Sequence, residues 1–139
     1  MKFNALVPEL KVTDFNSSLD FYTKILGFRI EYDRPEFKFA FLSLQGSQIM
    51  IEQLSGADRL TGKLKHPFGR GMHLQMHVKN IRPVINSLKK NKIPLFAEPF
   101  EKWYRKGNRM LGQRQFYVQD TDGYLLRFFE DLGSRKIQR

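Results

Sequence analysis

The run Val7-Pro8-Glu9-Leu10-Lys11-Val12-Thr13-Asp14-Phe15-Asn16-Ser17-Ser18-Leu19-Asp20-Phe21-Tyr22-Thr23-Lys24-Ile25-Leu26-Gly27-Phe28 decides the fold. Phe3 to Val12 alternates bulky or β-branched residues with polar ones, the pattern of a strand. Asp14 or Asn16 is placed to cap the helix that follows. Leu19, Tyr22, Ile25 and Leu26 then recur at helical spacing and predict an apolar stripe laid on a sheet. Gly27 stands where a helix ends in left-handed backbone. A weaker copy of the same unit begins at Val78-Lys79-Asn80 and carries its stripe on Ile81, Val84, Ile85 and Leu88, with Pro83 tolerable in the first turn. The chain is therefore read as a duplication, with a site on the sheet surface the two copies share.

The remaining segments fit that reading. Phe28 to Tyr32 and Phe37 to Leu44 alternate as strands, and Gly46-Ser47 turns into a strand over 48–54. Residues 55–70 hold glycines, a proline and mixed charges, and read as the connector between a module at about 3–54 and one at about 71–131. In the second module Met72 to Val78, Ile93 to Phe96, Gln113 to Gln119 and Tyr124 to Glu130 read as strands. Trp103 to Asn108 reads as a loop or hairpin end, and Asp120-Thr121-Asp122-Gly123 as a turn. The order strand, helix, three strands, twice over, predicts an α+β fold: two βαβββ modules forming a cupped mixed sheet with the helices on its convex face.

Composition narrows the function. At 139 residues the chain supports one ordinary core. Cysteine is absent, which excludes disulfides, thiolate catalysis and sulfur-ligated metals. No apolar run approaches the roughly 20 residues that span a bilayer, and the N-terminus lacks the pattern of a secretory leader, so the expected location is the cytoplasm, with no membrane partner. The net charge of +10 favours anionic partners. The cations are spread along the chain apart from Lys102 to Arg114 and the tail Arg135, Lys136 and Arg139. No nucleic-acid-binding motif accompanies them, so nucleic acid is not expected as the main partner.

Val-Thr-Asp before Ser-Leu-Asp-Phe-Tyr, Leu26-Gly27-Phe28, and Asp120-Thr121-Asp122-Gly123-Tyr124 near the end together resemble the vicinal oxygen chelate superfamily of glyoxalases, bleomycin resistance proteins and extradiol dioxygenases. The resemblance runs from about Leu6 to Glu130. In its enzymes four side chains on the concave face bind a divalent metal, and those positions fall here on Val7, Glu52, His73 and Arg127. Val7 has no lone pair and Arg127 is permanently cationic, so neither ligates a metal. Glu52 and His73 alone are too few for zinc or a hard divalent ion. The resemblance then implies no cofactor and the branch of the bleomycin resistance proteins, whose opening Val7-Pro8-Glu9-Leu10 and final Leu125-Leu126-Arg127 look similar. It implies a homodimer that holds a small aromatic drug or metabolite without chemistry on it. The alternative is a metal-dependent glyoxalase-like lyase or isomerase, or a dioxygenase, with a site rebuilt around Glu52 and His73.

Strand alternation assigns the faces. Glu9, Lys11, Phe39, Phe41, Met50, Glu52, His73, Gln75, His77, Gln115, Tyr117, Arg127 and Phe129 share the concave side. Leu10, Val12, Leu42, Leu44, Ile49, Ile51, Val78, Phe116, Val118, Leu126 and Phe128 form the core side. The candidate ligand-binding residues are Phe39, Phe41, Met50, Glu52, His73, Trp103, Tyr117 and Arg127. Glu52 is expected to pair with Arg127, and Trp103 to stack on the ligand from a cationic lip. His73 and His77 lie about 13 Å apart in a strand, too far to share one ion. Bleomycin is cationic, and this basic chain repels it; a neutral or anionic aromatic ligand fits better.

Overall fold

A computed structural model describes residues 1–138. The first module runs β1 (Glu9–Val12), α1 (Phe15–Asp20) continued by a π-helical turn (Phe21–Ile25), β2 (Arg29–Arg34), a 3₁₀ turn (Pro35–Phe37), β3 (Phe39–Leu44) and β4 (Ser47–Gln53). The second runs β5 (Leu74–His77), α2 (Arg82–Lys90), β6 (Ala97–Lys106), β7 (Arg109–Gln119) and β8 (Leu125–Lys136). The backbone ladders close within each module and give two four-stranded mixed sheets, ordered β1-β4-β3-β2 and β5-β8-β7-β6. In both, the first strand pairs parallel with the last, so the helix between them must cross over the sheet.

The core follows the alternation read from the sequence. Leu10, Val12, Leu42, Ile49, Ile51, Val78, Phe116, Val118, Leu126 and Phe128 are all buried, and Leu44 packs at the edge. They join Tyr22 and Leu26 of the first helical segment and Val84, Ile85 and Leu88 of α2 in one continuous cluster. Each such side chain stabilises the fold by roughly 1.5–3 kcal/mol relative to exposure, so the modules share one core.

Local chemistry explains the helix ends. Asp14 is the N-cap of α1, accepting from the Ser17 N–H at 3.1 Å. The π turn closes with Leu26 N–H donating to the Phe21 carbonyl at 3.0 Å, and Gly27 follows at φ +89°, where a side chain would be strained. Asn80 receives the Arg82 N–H at 2.9 Å just before α2, while the Ile81 N–H goes to Glu130 at 3.2 Å.

Several boundaries differ from expectation. The first strand begins at Glu9 rather than Phe3, because Asn4 is tied to Gln48 and Gly46 through its amide groups instead of a ladder. Ile93 to Phe96 is not a strand: Ile93 N–H returns to the Leu88 carbonyl, and regular pairing starts at Ala97. Trp103 to Lys106 lie inside β6, and β8 runs on to Lys136.

The Asp120-Thr121-Asp122-Gly123 turn pins one module to the other. Tyr22 Oη donates to Asp120 Oδ2 at 2.6 Å, and Thr13 Oγ1 to Asp122 Oδ1 at 2.5 Å. Backbone N–H groups of Asp122 and Tyr124 donate to Asp120 Oδ1. Burial is the larger influence and pushes the Asp120 carboxyl up to about 6 despite these bonds. Among the described residues no helix is long and apolar enough to cross a membrane.

Candidate functional site

Cross-strand register places Glu9 and Lys11 of β1, Met50 and Glu52 of β4, Phe39 and Phe41 of β3, and Tyr32 and Arg34 of β2 on the face of the first sheet that the helices do not cover. That face is largely occupied by its own side chains. Phe39 and Phe41 are each 3% exposed. The Tyr32 ring stacks on Phe41 at 5.2 Å, Phe3 meets Phe41 edge-on at 5.3 Å, and the Arg34 guanidinium covers Phe39 at 4.6 Å. Two of the expected pocket walls are therefore internal packing, and Met50, half-buried, is their neighbour.

Glu52 is not paired with Arg127. Its carboxylate receives the ammonium of Lys11, which stands directly opposite it on the adjacent parallel strand, whereas Arg127 belongs to the other sheet. Lys11 also reaches Asp58 at 3.0 Å and Glu9 at 4.0 Å. Burial opposes the Lys11 charge, but the bonds to Glu52 and Asp58 more than offset it and raise its pKa. The same ammonium, with the Ser55 N–H, holds the Asp58 carboxyl below its usual range. A cleft of about 530 Å³ opens here, lined by Glu9, Lys11, Glu52, Asp58, Arg59 and Tyr124. Asp58 lies in the segment read as a connector, where no periodicity marks a residue as functional.

The second sheet is built differently. Tyr117 and Arg127 are register partners on β7 and β8, Gln115 stands opposite Phe129, and Phe100 and Lys102 of β6 stand opposite Gln115 and Gln113. Arg127 Nη2 donates to Gln113 Oε1 at 2.7 Å and to Tyr104 Oη at 3.3 Å, and Gln115 Nε2 donates to the same hydroxyl at 2.7 Å. Gln115 Oε1 and Arg127 Nε are buried without partners. Tyr117 is flanked by His73, edge-on at 5.4 Å, and by Phe100, parallel within 5° at 6.4 Å. His73 is exposed just ahead of β5, and Phe96 and Phe100 are 61% and 38% exposed. Tyr104, Gln113, Phe96 and Phe100 are site neighbours that sequence reading missed: Tyr104 falls in the stretch read as a loop, Phe100 in no element, and Gln113 and Phe96 at the ends of expected strands where no face is assigned to them.

Trp103 does not join this group. It pairs with Gly112, so it projects from the face opposite to Tyr104, Gln113 and Tyr117. Its ring lies over Gly112, where a Cβ would come within 2.6 Å, and the Arg135 guanidinium sits 3.9 Å from the ring centroid. Trp103 Nε1 donates to Glu101 at 3.1 Å. The residue is an anchor of the strand ends and has no free face at the expected crevice. Phe39, Phe41, Met50 and Glu52 thus belong to one surface, His73, Tyr117 and Arg127 to a second, and Trp103 to a third.

The four positions considered for a metal do not fit one. Val7 lacks a donor, Arg127 is a cation committed to Gln113 and Tyr104, and Glu52 carries the Lys11 ammonium. Among the described residues no three His, Asp or Glu side chains converge to hold an ion.

The fold has known relatives. A family member from Vibrio splendidus 12B01, described as a glyoxalase/bleomycin resistance protein/dioxygenase superfamily member, is 32% identical over 89% of this chain and 95% of its own, with a TM-score of 0.41. TioX from Micromonospora sp. ML1 is 21% identical with a TM-score of 0.67, covering 94% of this chain and all 100% of its own. A virulence protein from Salmonella typhimurium is 20% identical with a TM-score of 0.65, covering 94% and 98%. None of the curated proteins matches. The profile that matches residues 3–128 is that of the Glyoxalase/Bleomycin resistance protein/Dioxygenase superfamily, and the chain belongs to that family.

Proposed function

We propose that the protein is a non-enzymatic, cytoplasmic binder that sequesters a small, flat, neutral or anionic molecule, with the uncovered face of the second sheet as its binding surface. The observation that carries this reading is the group around Tyr117. Aromatic rings of Phe96, Phe100 and His73 stand exposed or half-exposed beside it, and Arg127 and Lys102 supply positive charge on the same face. Stacking on such rings is worth about 0.5–1.5 kcal/mol per contact beyond the apolar area buried. Gln115 Oε1 and Arg127 Nε, buried on the same face in register with Phe129 and Tyr117, are an acceptor and a donor still without partners. Among the described residues no set of three His, Asp or Glu side chains accompanies them, and Val7 and Arg127 stand where metal ligands would be needed, which favours binding over metal-dependent catalysis.

The reading includes a homodimer. Phe3, Phe37, Met72 and Phe96 are each more than half exposed, and monomers rarely leave such apolar surface open. A second copy of the chain would cover it and enclose the ligand face. Sedimentation at high micromolar concentration should give twice the 16.5 kDa mass of one chain, and a strict monomer contradicts this part.

Calorimetric titration with naphthalene-2-carboxylate, naphthalene-2-methanol, naphthalene-2-methylammonium and bleomycin tests the function. Affinity should follow ligand charge in that order, with the carboxylate tightest and weakened by salt. Tyr117→Ala should weaken the carboxylate about tenfold, as expected for loss of a stacking anchor, without changing the melting temperature. Absence of binding by every aromatic, or metal-dependent turnover of a hemithioacetal or a catechol, overturns the proposal.

A further inference from the structure

The last third of the chain builds a surface whose parts lie far apart in sequence. β6, β7 and β8 are 10, 11 and 12 residues long, and their far ends run past the shared core as an exposed three-stranded arm. Over residues 102–112 and 132–138 this arm carries Lys102, Arg105, Lys106, Arg109, Arg135 and Lys136, and no Asp or Glu. None of the six makes a salt bridge among the described residues.

Register makes the arrangement specific. Lys106 pairs with Arg109, and Arg109 with Lys136, so three cations stand side by side across three strands on one face. Adjacent strands are about 4.8 Å apart, which gives a row roughly 10 Å wide. Lys102 lies on that face farther along β6, with Tyr104 between it and the row. Like charges directly opposite one another destabilise a sheet, so the row stores repulsion that an anionic partner relieves. Arg109 Nε is aimed sideways by Ser134 Oγ at 3.2 Å, and the Gly107–Asn108 turn leaves an open hollow beside Arg109 and Lys136.

We infer that this arm is a sequence-independent contact for the phosphate backbone of nucleic acid, lying on the same face of the second sheet as the small-molecule site but beyond it, at the far ends of the strands. A regularly charged polymer satisfies a row of cations without needing a shaped pocket, and duplex DNA offers about one charge per 1.7 Å. An anionic membrane fits less well, because the one tryptophan of the arm is already packed between Gly112 and Arg135 and cannot insert. Residues 102–109 and 135–136 give no nucleic-acid motif in sequence because the row exists only after β8 is laid beside β7.

The test is fluorescence anisotropy of a labelled 20-base-pair duplex and a labelled 20-base oligothymidylate, titrated with the full chain at several salt concentrations. Four cations on one face, each worth about 0.9 in the slope of log K against log salt, predict a duplex slope between about −3 and −4. Lys106→Gln/Arg109→Gln/Lys136→Gln should keep the wild-type circular dichroism with a melting temperature equal to or above wild type, weaken binding about 20-fold or more at low salt, and flatten the slope by nearly 3. The equally charged control Lys89→Gln/Lys90→Gln/Lys92→Gln, at the exposed end of α2 and in the turn just after it, should change affinity less than about threefold. Equal losses in both triple variants, no binding by the wild type at 50 mM salt, or binding to phosphatidylserine vesicles without binding to either nucleic acid would each overturn the inference.

Discussion

The two sheets start from the same strand–helix unit and end with opposite surfaces. In the first, strands of four to seven residues stop at the core, and the face away from the helices is filled at β2 and β3 by Phe39, Phe41, Tyr32 and Phe3 under Arg34, leaving only the acidic cleft at β1 and β4 where Lys11 bridges Glu52 and Asp58. In the second, three strands outrun the core, and the corresponding face presents Tyr117, Phe100 and Arg127 half-open. A duplicated scaffold can thus spend one copy on stability and leave the other for recognition. What separates them is strand length and how completely the rings are covered: Phe39 and Phe41 are sealed beneath Tyr32, Phe3 and Arg34, whereas Phe96 and Phe100 stay exposed beside Tyr117.

The sharpest break in that comparison is truncation of one ring on each face. Phe41→Ala should cost about 3–5 kcal/mol in urea unfolding, the range for a buried phenylalanine. Phe100→Ala, at 38% exposure, should cost less than about 1 kcal/mol. Equal losses would mean that the second face is as closed as the first.

The joint between the modules gives the next effect. Asp120 is held at a pKa of about 6 by burial, above the unfolded value of about 3.9. The folded chain therefore keeps a proton that the unfolded chain has lost, so stability falls as pH rises from about 4 to about 6 and this group contributes no further change above that. The fall is up to about 3 kcal/mol. Asp120→Asn keeps acceptors for the Asp122 and Tyr124 N–H groups and should abolish that slope, leaving the variant more stable than wild type at pH 7. Parallel pH–stability curves for the two proteins would contradict the assignment.

Smaller still is the effect of Arg127→Ala, which removes bonds to Gln113 and Tyr104 and should cost about 1–2 kcal/mol. In a double-mutant cycle with Glu52→Gln the coupling should stay within about 0.5 kcal/mol, because the two residues lie on different sheets. A larger coupling would restore the pair that sequence reading expects.

The alternation of Leu10, Val12, Ile49, Ile51, Phe116, Val118, Leu126 and Phe128 made the core legible, since a strand of period two has only two sides. The same alternation put Phe39, Phe41 and Tyr117 on the correct side but could not say what covers each ring. Phe3 and Tyr32, which close over Phe41, come from segments with no positional signal for that contact. Glu52 shows the same limit. Its partner is set by the parallel register of β1 and β4, and Lys11 is as plausible a cation as Arg127 until that register is known. Trp103 was misplaced for another reason: a glycine at 107 and charged neighbours suggest a loop, whereas a two-residue turn lets both flanking strands continue. The Asp120-Thr121-Asp122-Gly123 turn was legible as a turn, and its buried bonds to Thr13 and Tyr22 became visible only with both modules in place.

The division between a filled sheet and an open one is tested most directly by mapping ligand contacts residue by residue. Backbone amide chemical shifts of labelled protein, followed during titration with naphthalene-2-carboxylate, should move at His73, Phe100, Tyr117 and Arg127 and stay fixed at Tyr32, Phe39 and Phe41. Shifts centred on Phe39 and Phe41, with Tyr117 and Arg127 unmoved, would contradict it.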